Sequence, residues 1–263
     1  TDGHDDFYIS IFKNDRDNLM AVKAAKRLSD DEYKDLMITL NKGQYIYLMN
    51  VLSMLKRNEV FYHYVTGDAG TGKSRLIKAI RETMNRFYGK YEVVQNTTDN
   101  LLSVLLAAFR GKAAANIKGT TLHSAFSIQI KESKCKNLSK PTLDKVRKLY
   151  AKLKLIIIDE ISLCGSKLLR IVDHRLRQIF DESKVFGGIP IIVLGDFKQL
   201  SPVLDKPVYD IEPEGLTGYE QLTQRSLWSQ FQLYELTECM RQRDDLEFAE
   251  TLKTIGSLRS YWS

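Results

Sequence analysis

Residues 67–74, Gly67-Asp-Ala-Gly-Thr-Gly-Lys-Ser74, have the types and spacing to hold a triphosphate. Gly67, Gly70 and Gly72 free the backbone for conformations that a Cβ forbids, so successive N–H groups can turn onto phosphate oxygens at a helix N-terminus. Ala69 and Thr71 complete the loop, Lys73 reaches the β and γ phosphates of ATP, and the Ser74 hydroxyl ligates Mg²⁺. Further along, an isoleucine-rich run over 155–158 ends in Asp159-Glu160, two carboxylates where a strand emerges. Neighbouring strand residues point to opposite sides, so the two acids are expected to have different tasks. Asp159 is suited to the Mg²⁺ shell and Glu160 to orienting or deprotonating the attacking water. A third apolar run leads into Gly195-Asp-Phe-Lys-Gln-Leu200, where Gln199 sets a neutral amide beside the same pocket. Such an amide bonds a γ-phosphate oxygen before hydrolysis and loses it afterwards. Taken singly, the three segments also read as a glycine turn, an acidic turn, and a loop set by Gly195 and Pro202. Their succession favours nucleotide hydrolysis.

These groups can meet only if the elements before them end at one edge. Apolar, strand-like runs over 60–66, 101–108, 153–158, 189–194 and 231–236, with helical patterns between most of them, predict an α/β fold. The expected architecture is a mainly parallel sheet covered by helices on both faces, with ligands at the carboxyl ends of its strands. Leu76, Ile77, Ile80 and Met84 mark the amphipathic helix that must follow the glycine loop. Two helices precede it: Ser29-Asp-Asp-Glu32 has the form of a capping box opening a helix to about residue 40, and Tyr45, Met49, Leu52 and Leu55 carry helical spacing over 44–57. Residues 131–141 are the best candidate for an exposed excursion.

A chain of 263 residues with 43% hydrophobic content can bury one large core. No apolar run approaches the roughly 20 residues of a membrane span, and the start, Thr1-Asp-Gly-His-Asp-Asp, is polar and acidic, unlike a signal peptide. Cys135, Cys164 and Cys239 have neither metal spacing nor an even disulfide set, which fits inert thiols in a reducing compartment. The net charge is +6, with basic excess over 131–154 and again at Arg170, Arg175 and Arg177. A polyanion partner and a solvated helix face both accommodate such runs. The chain begins without Met and stops at Tyr261-Trp262-Ser263 without an obvious terminating element, which leads us to expect a piece of a longer polypeptide.

Six segments taken in order, Gly67 to Ser74, Gly111-Lys-Ala-Ala-Ala-Asn-Ile-Lys-Gly-Thr-Thr-Leu-His-Ser-Ala-Phe126, Ile158-Asp-Glu-Ile-Ser162, Phe186-Gly-Gly188, Gly195 to Leu200 and Glu238-Cys-Met-Arg-Gln242, resemble the motifs of Pif-type DNA helicases of superfamily one, five-prime to three-prime branch. The run from Leu227-Trp228 to Phe248-Ala249 is most similar to the helicase domain of Helitron transposon proteins. The resemblance implies an N-terminal helical lead-in over 1–40, a first RecA-like ATPase domain over 41–240, and in 241–263 the start of a connection to a second RecA-like domain, which is absent. It further implies that Gln44 reads adenine, although Gly43 stands where an acid is common, and that Arg241 approaches the γ phosphate. Arg110, Gly111, Lys112, Thr121, His123 and Ser124 fall at positions near a single-stranded DNA backbone. Phe109-Arg110 replaces the usual Pro-Thr, so a hydroxyl contact is lost and Arg110 is left to meet phosphate. Ser201 replaces a proline, and residues 254–260 depart from the expected continuation. Trp228 and Phe126 are expected in the core. On this reading the isolated chain is a monomer that binds MgATP and single-stranded DNA, hydrolyses ATP feebly and does not unwind duplex without the missing domain; its compartment is intracellular, nuclear or mitochondrial, with no membrane partner. The rival expectation is a nucleotide- or DNA-binding module without turnover. A small-metabolite kinase would leave 195–200 and Thr121-Leu-His-Ser124 unexplained.

Overall fold

Apolar character on both sides of each strand sets the architecture of the computed structural model, which describes residues 28–68, 70–89, 102–129, 136–199, 202, 205–210 and 226–238. Strands β1 (Tyr62–Thr66), β2 (Val104–Ala108), β3 (Thr120–Thr121), β4 (Leu155–Asp159), β5 (Ile191–Leu194) and β6 (Gln232–Glu235) form one sheet in the order β3-β2-β4-β5-β1-β6. Every adjacent pair is parallel. Along β4 the side chains alternate between two cores, Leu155 and Ile157 on one face and Ile156 and Ile158 on the other. Helices α1 (Asp30–Ile38), α2 (Lys42–Lys56), α3 (Lys73–Gly89) and α4 (Gly111–Asn116) cover the first face. The second is covered by α5 (Leu122–Ala125), α6 (Lys140–Leu149) and α7 (Ser166–Ile179). The anticipated strands all appear, trimmed at their ends. The short β3 was not anticipated, because two residues carry no period to read.

Local signals start the helices where the sequence places them. Glu32 N donates to Ser29 Oγ at 3.2 Å and Ser29 N to the Glu32 carboxylate at 2.7 Å, the expected capping box. A second box opens α2 two residues earlier than its apolar spacing implied, with Gln44 N donating to Asn41 Oδ1 at 2.7 Å. On α3, Leu76, Ile77, Ile80 and Met84 are all buried. Phe126 is buried, and Trp228 stacks on Phe231 with ring centroids 5.0 Å apart, so both belong to the core as anticipated. Cys164 is buried and burial pushes its thiol pKa up, which leaves it inert; Cys135 and Cys239 lie outside the described residues. Among the described residues no helix is long and apolar enough to cross a membrane.

The arginines of α7 correct one expectation. Arg170 and Arg175 are buried, and Arg175 donates through Nε to Phe126 O at 3.3 Å and through its guanidinium to Lys136 O. Arg177 pairs with Asp173 at 2.8 Å. These cations tie the fold together and do not form a polyanion surface. Lys136, Lys140, Lys145 and Lys148 do stand exposed.

His63 of β1 is buried between Phe61 and Tyr234, each ring centroid 4.5 Å from its own, with Nδ1 3.2 Å from the Tyr47 hydroxyl and Nε2 without a partner. Burial lowers its pKa to about 4. An unfolded histidine titrates near 6.5, so between these values the unfolded chain holds a proton that the folded chain refuses. Stability from this group is therefore complete above pH 6.5 and is lost as pH falls, by about 2 kcal/mol at pH 5. Urea unfolding at pH 7 and pH 5 checks this: the drop should shrink by that amount in His63→Phe, and equal drops in the two proteins would contradict it.

Candidate nucleotide and DNA site at the carboxyl edge

Because the strands all run one way, the segments following β1, β2, β4 and β5 emerge at a common edge. After β1 the glycine loop turns with Gly70 at φ 93° and Gly72 at φ 82°, left-handed conformations that a side chain would strain. Thr71 closes it by donating to Asp68 O from Oγ1 at 2.9 Å and from its N–H at 3.3 Å. Lys73 opens α3, and its Nζ folds back over the loop, donating to Gly67 O and, at 3.3 Å, to Asp68 O. Ser74 is next, exposed in the first turn. Ala69 lies outside the described residues. Behind the loop, Gln44 is fully buried. Its Nε2 donates to Thr71 O at 2.9 Å and Gly72 O at 3.4 Å, while its Oε1 accepts from Asn41 N at 3.0 Å.

Two strands away, Asp159 is the last residue of β4. Burial raises its carboxyl pKa, and the Glu160 carboxylate adds to this. The Glu160 N–H, 3.0 Å from Oδ1, and the Lys73 ammonium act the other way. Lys73, at the start of α3, and Asp159, at the end of β4, both lie at the carboxyl edge of the sheet. The separation of the two acids expected from strand alternation arises by a different route: Glu160 leaves the strand in a left-handed conformation, φ 54° and ψ 45°. Such a conformation is costly for a residue with a Cβ and concentrates at functional sites. A half-buried carboxylate held above its ordinary range is a group that a cation would draw back to ionisation. Among the described residues no three or more His, Cys, Asp or Glu gather as a cage. The Ser74 hydroxyl and the Asp159 carboxylate are oxygen donors of the kind Mg²⁺ takes, an ion that needs few protein oxygens and completes its shell with phosphate and water.

The loop after β5 lies against this turn. A Cβ on Gly195 would sit 2.9 Å from Ile161 Cγ2 and 3.2 Å from Ile161 N, so only glycine permits the approach. Asp196 organises the residues after it, accepting from Lys198 N at 2.9 Å and from Gln199 Nε2 at 3.1 Å. Lys198 Nζ stands 3.8 Å from the Asp68 carboxylate and links this loop to the glycine loop. Sequence reasoning passed over Asp68, Asp196 and Lys198, although an Asp two and three residues before groups it can bond is a readable turn signal.

On the β2 side, Arg110 caps α4, and Arg110, Gly111 and Lys112 are exposed. Thr121 caps α5, accepting from Ser124 N at 3.2 Å and lying 3.0 Å from Ser124 Oγ. The His123 ring lies 6.2 Å from that of Phe109, which joins the two segments. In register, Thr121 stands beside Ala108 and Ala108 beside Asp159. At ~4.8 Å per strand the two sites are about 10 Å apart across the sheet. Arg241 lies outside the described residues.

The profile of the PIF1-like helicase family matches residues 39–259. The ATP-dependent DNA helicase PIF1 of Candida albicans is 31% identical over 228 residues, which cover 83% of this chain and 22% of that protein. The ATP-dependent DNA helicase RRM3 of Saccharomyces cerevisiae is 35% identical over 162 residues, 61% of this chain and 20% of that one. The crystal structure of Pif1 helicase from Candida albicans matches with a TM-score of 0.62 at 30% identity, covering 82% of this chain and 44% of that chain. Pif1 helicase from Bacteroides in complex with ADP-AlF3 and ssDNA matches with a TM-score of 0.52 at 26% identity, covering 80% and 46%. The chain thus spans about a fifth of the length of these curated relatives. A family match that runs through the glycine loop, the acid pair and the Gln199 loop, on a RecA-like sheet that brings all three to one edge, settles the affiliation: the chain belongs to the PIF1-like helicases.

Proposed function

We propose that this chain is the ATP-hydrolysing part of a DNA helicase, in which MgATP turnover is coupled to single-stranded DNA and, in a longer protein with a second RecA-like domain, to five-prime to three-prime translocation and unwinding. The observation that supports the reading is the shared edge, where the glycine loop after β1, Asp159 at the end of β4 and the Gln199 loop after β5 emerge together. Lys73 would exchange the Gly67 and Asp68 carbonyls for β- and γ-phosphate oxygens. Ser74 and Asp159 would hold Mg²⁺, which when bound neutralises charge developing on the phosphates. Glu160, turned out of the strand, would take a proton from the attacking water, and Gln199 would bond the γ phosphate. Arg241 would approach the same phosphate. Arg110, Gly111, Lys112, Thr121, His123 and Ser124 would follow the DNA backbone with sequence-tolerant, salt-sensitive contacts. In this reading residues 41–240 form the first motor domain of a monomer acting on nuclear or mitochondrial DNA. An arginine from the second domain would supply the on the order of 10³ to 10⁵ in rate that one domain lacks.

ATP turnover by the 263-residue chain, with and without single-stranded DNA, is the test. Slow turnover raised severalfold by DNA is expected, with none above background in Lys73→Ala. Lys112→Glu should weaken DNA binding and lower its salt slope by about one ion. Nucleotide binding without turnover, even with the second domain supplied, would favour a binding module.

A further inference from the structure

The helix α5 is a single turn of four residues, too short to hold its own shape, and Thr121, His123 and Ser124, three of the residues proposed to meet DNA, stand on or beside it. We infer that Tyr150 and Arg175 are positioning residues for single-stranded DNA, which fix this turn from the core side through the Ala125 and Phe126 carbonyls without touching DNA themselves. The inference rests on the DNA-binding reading of residues 110–124 and extends it to the groups behind them.

Backbone donors satisfy only the first carbonyls of the turn. Leu122 O accepts from Phe126 N at 3.1 Å, Ser124 O from Ser127 N at 3.5 Å and His123 O from Ile128 N at 2.8 Å, with Ser127 left-handed at φ 52°. Beyond this the chain no longer winds back, and Ala125 and Phe126 are buried, where an unmet carbonyl is costly. Side chains from other elements meet both. The hydroxyl of Tyr150, the residue that ends α6, donates to Ala125 O at 2.6 Å. Arg175 Nε, on α7, donates to Phe126 O at 3.3 Å. The same guanidinium donates to Lys136 O, so one group holds the chain where it leaves the turn and where it comes back toward α6.

Both donors lie deep in the fold: Tyr150 is 1% exposed and Arg175 2%. Burial raises the phenol pKa, so the hydroxyl keeps its proton and stays a donor. A guanidinium is costly to bury, and an apolar side chain would fill the space without that cost. What it supplies in return is a rigid planar fork of donors. The other end of the turn is fixed by the sheet, where Thr121 pairs with Ala108 and its Oγ1 accepts from Ser124 N. Pinned at both ends, the turn buries Leu122 and Ala125 and leaves Thr121, His123 and Ser124 partly exposed. Groups held in place before a DNA strand arrives need not be ordered by it, which lowers the cost of binding. Loss of one support should therefore weaken DNA binding while every DNA contact is still made.

The experiment titrates a fluorescent oligothymidylate, over a range of salt, and separately MgATP, into the 263-residue chain as wild type, Tyr150→Phe and Arg175→Lys. Phenylalanine keeps the ring and removes only the hydroxyl; lysine keeps the charge and loses the fork. Tyr150→Phe should bind the oligonucleotide about fivefold more weakly, with MgATP affinity within about twofold of wild type. Its dependence of log Kd on log salt should keep the wild-type slope, because no phosphate contact is removed, whereas Lys112→Glu lowers that slope. Arg175→Lys should weaken DNA binding in the same selective way. Without ligand, the Phe126 and Ile128 amides of Tyr150→Phe should exchange faster while those of β4 keep their protection. Wild-type DNA affinity in a folded Tyr150→Phe, equal losses for DNA and MgATP, or a lowered salt slope would each overturn the inference. A wild-type chain that bound no oligonucleotide would instead sink the DNA-binding reading, and this one with it. Circular dichroism melts show which variants fold, and failure of both to fold would assign the two side chains to stability alone and overturn the inference.

Discussion

Glu160→Gln should lower ATP turnover by about 10³-fold while leaving MgATP affinity within about twofold. The substitution keeps size and shape and removes only the capacity to accept a proton. On the proposed reading Glu160 would be set for that task by its backbone, which leaves the strand in a left-handed turn while Asp159 remains on it. Its N–H is spent on Asp159 Oδ1 at 3.0 Å, so the two acids are held in fixed relation. Asp159→Asn should behave differently, losing affinity for the magnesium complex as well as rate, because the carboxylate whose ionisation a cation would favour is then gone. Single-turnover hydrolysis and equilibrium nucleotide binding on the same preparations separate the outcomes. If Glu160→Gln lost affinity in parallel with rate, Glu160 would be an ion ligand. If it turned over like the wild type, it would not be the base.

Asp173→Ala is expected to destabilise the fold by about 3 to 5 kcal/mol, the largest structural effect of a single substitution here. The Asp173 carboxylate is fully buried on α7, where it takes Arg177 Nε at 2.8 Å and the Phe186 N–H at 2.6 Å. Alanine leaves the buried Phe186 N–H without its acceptor and takes one acceptor from the partly buried Arg177 guanidinium. Against a domain stability of about 5 to 15 kcal/mol this is a large share. Asp173→Asn retains an acceptor for Phe186 and should cost less. Denaturant midpoints decide it: a loss under about 1 kcal/mol for alanine would mean that the carboxylate is not the keystone described.

The sheet and the phosphate loop were legible because each rests on a local pattern. Leu155 to Ile158 is apolar at every position, as a strand buried on both faces must be, and Gly70, Gly72 and Lys73 occur where only a few backbone shapes allow them. The features that escaped reading depend on contacts between distant residues. Nothing local to Gln44 tells that its amide meets carbonyls at Thr71 and Gly72. The Asn41 to Gln44 spacing, by contrast, is a capping pattern that was open to view. Arg175 carried its own warning: it lies four residues from both Ile171 and Ile179 and seven from Leu168, within the apolar stripe of α7, where an exposed cation does not belong. The charge counts of a segment do not reveal this; its helical spacing does.

The placement of β6 beside β1 has a mechanical meaning. These two strands are parallel and paired from His63 with Gln232 to Thr66 with Glu235, and Leu236 N donates to Thr66 O at 2.8 Å just before Gly67. A tension applied to the polypeptide beyond Glu238, along the strand, would load that ladder in shear, so that its bonds resist together instead of parting one after another. The force would be delivered at the entrance of the phosphate loop, where a Cβ on Gly67 would already collide with Leu236 O at 2.8 Å. A pull there would therefore be felt at the first residues of the glycine loop.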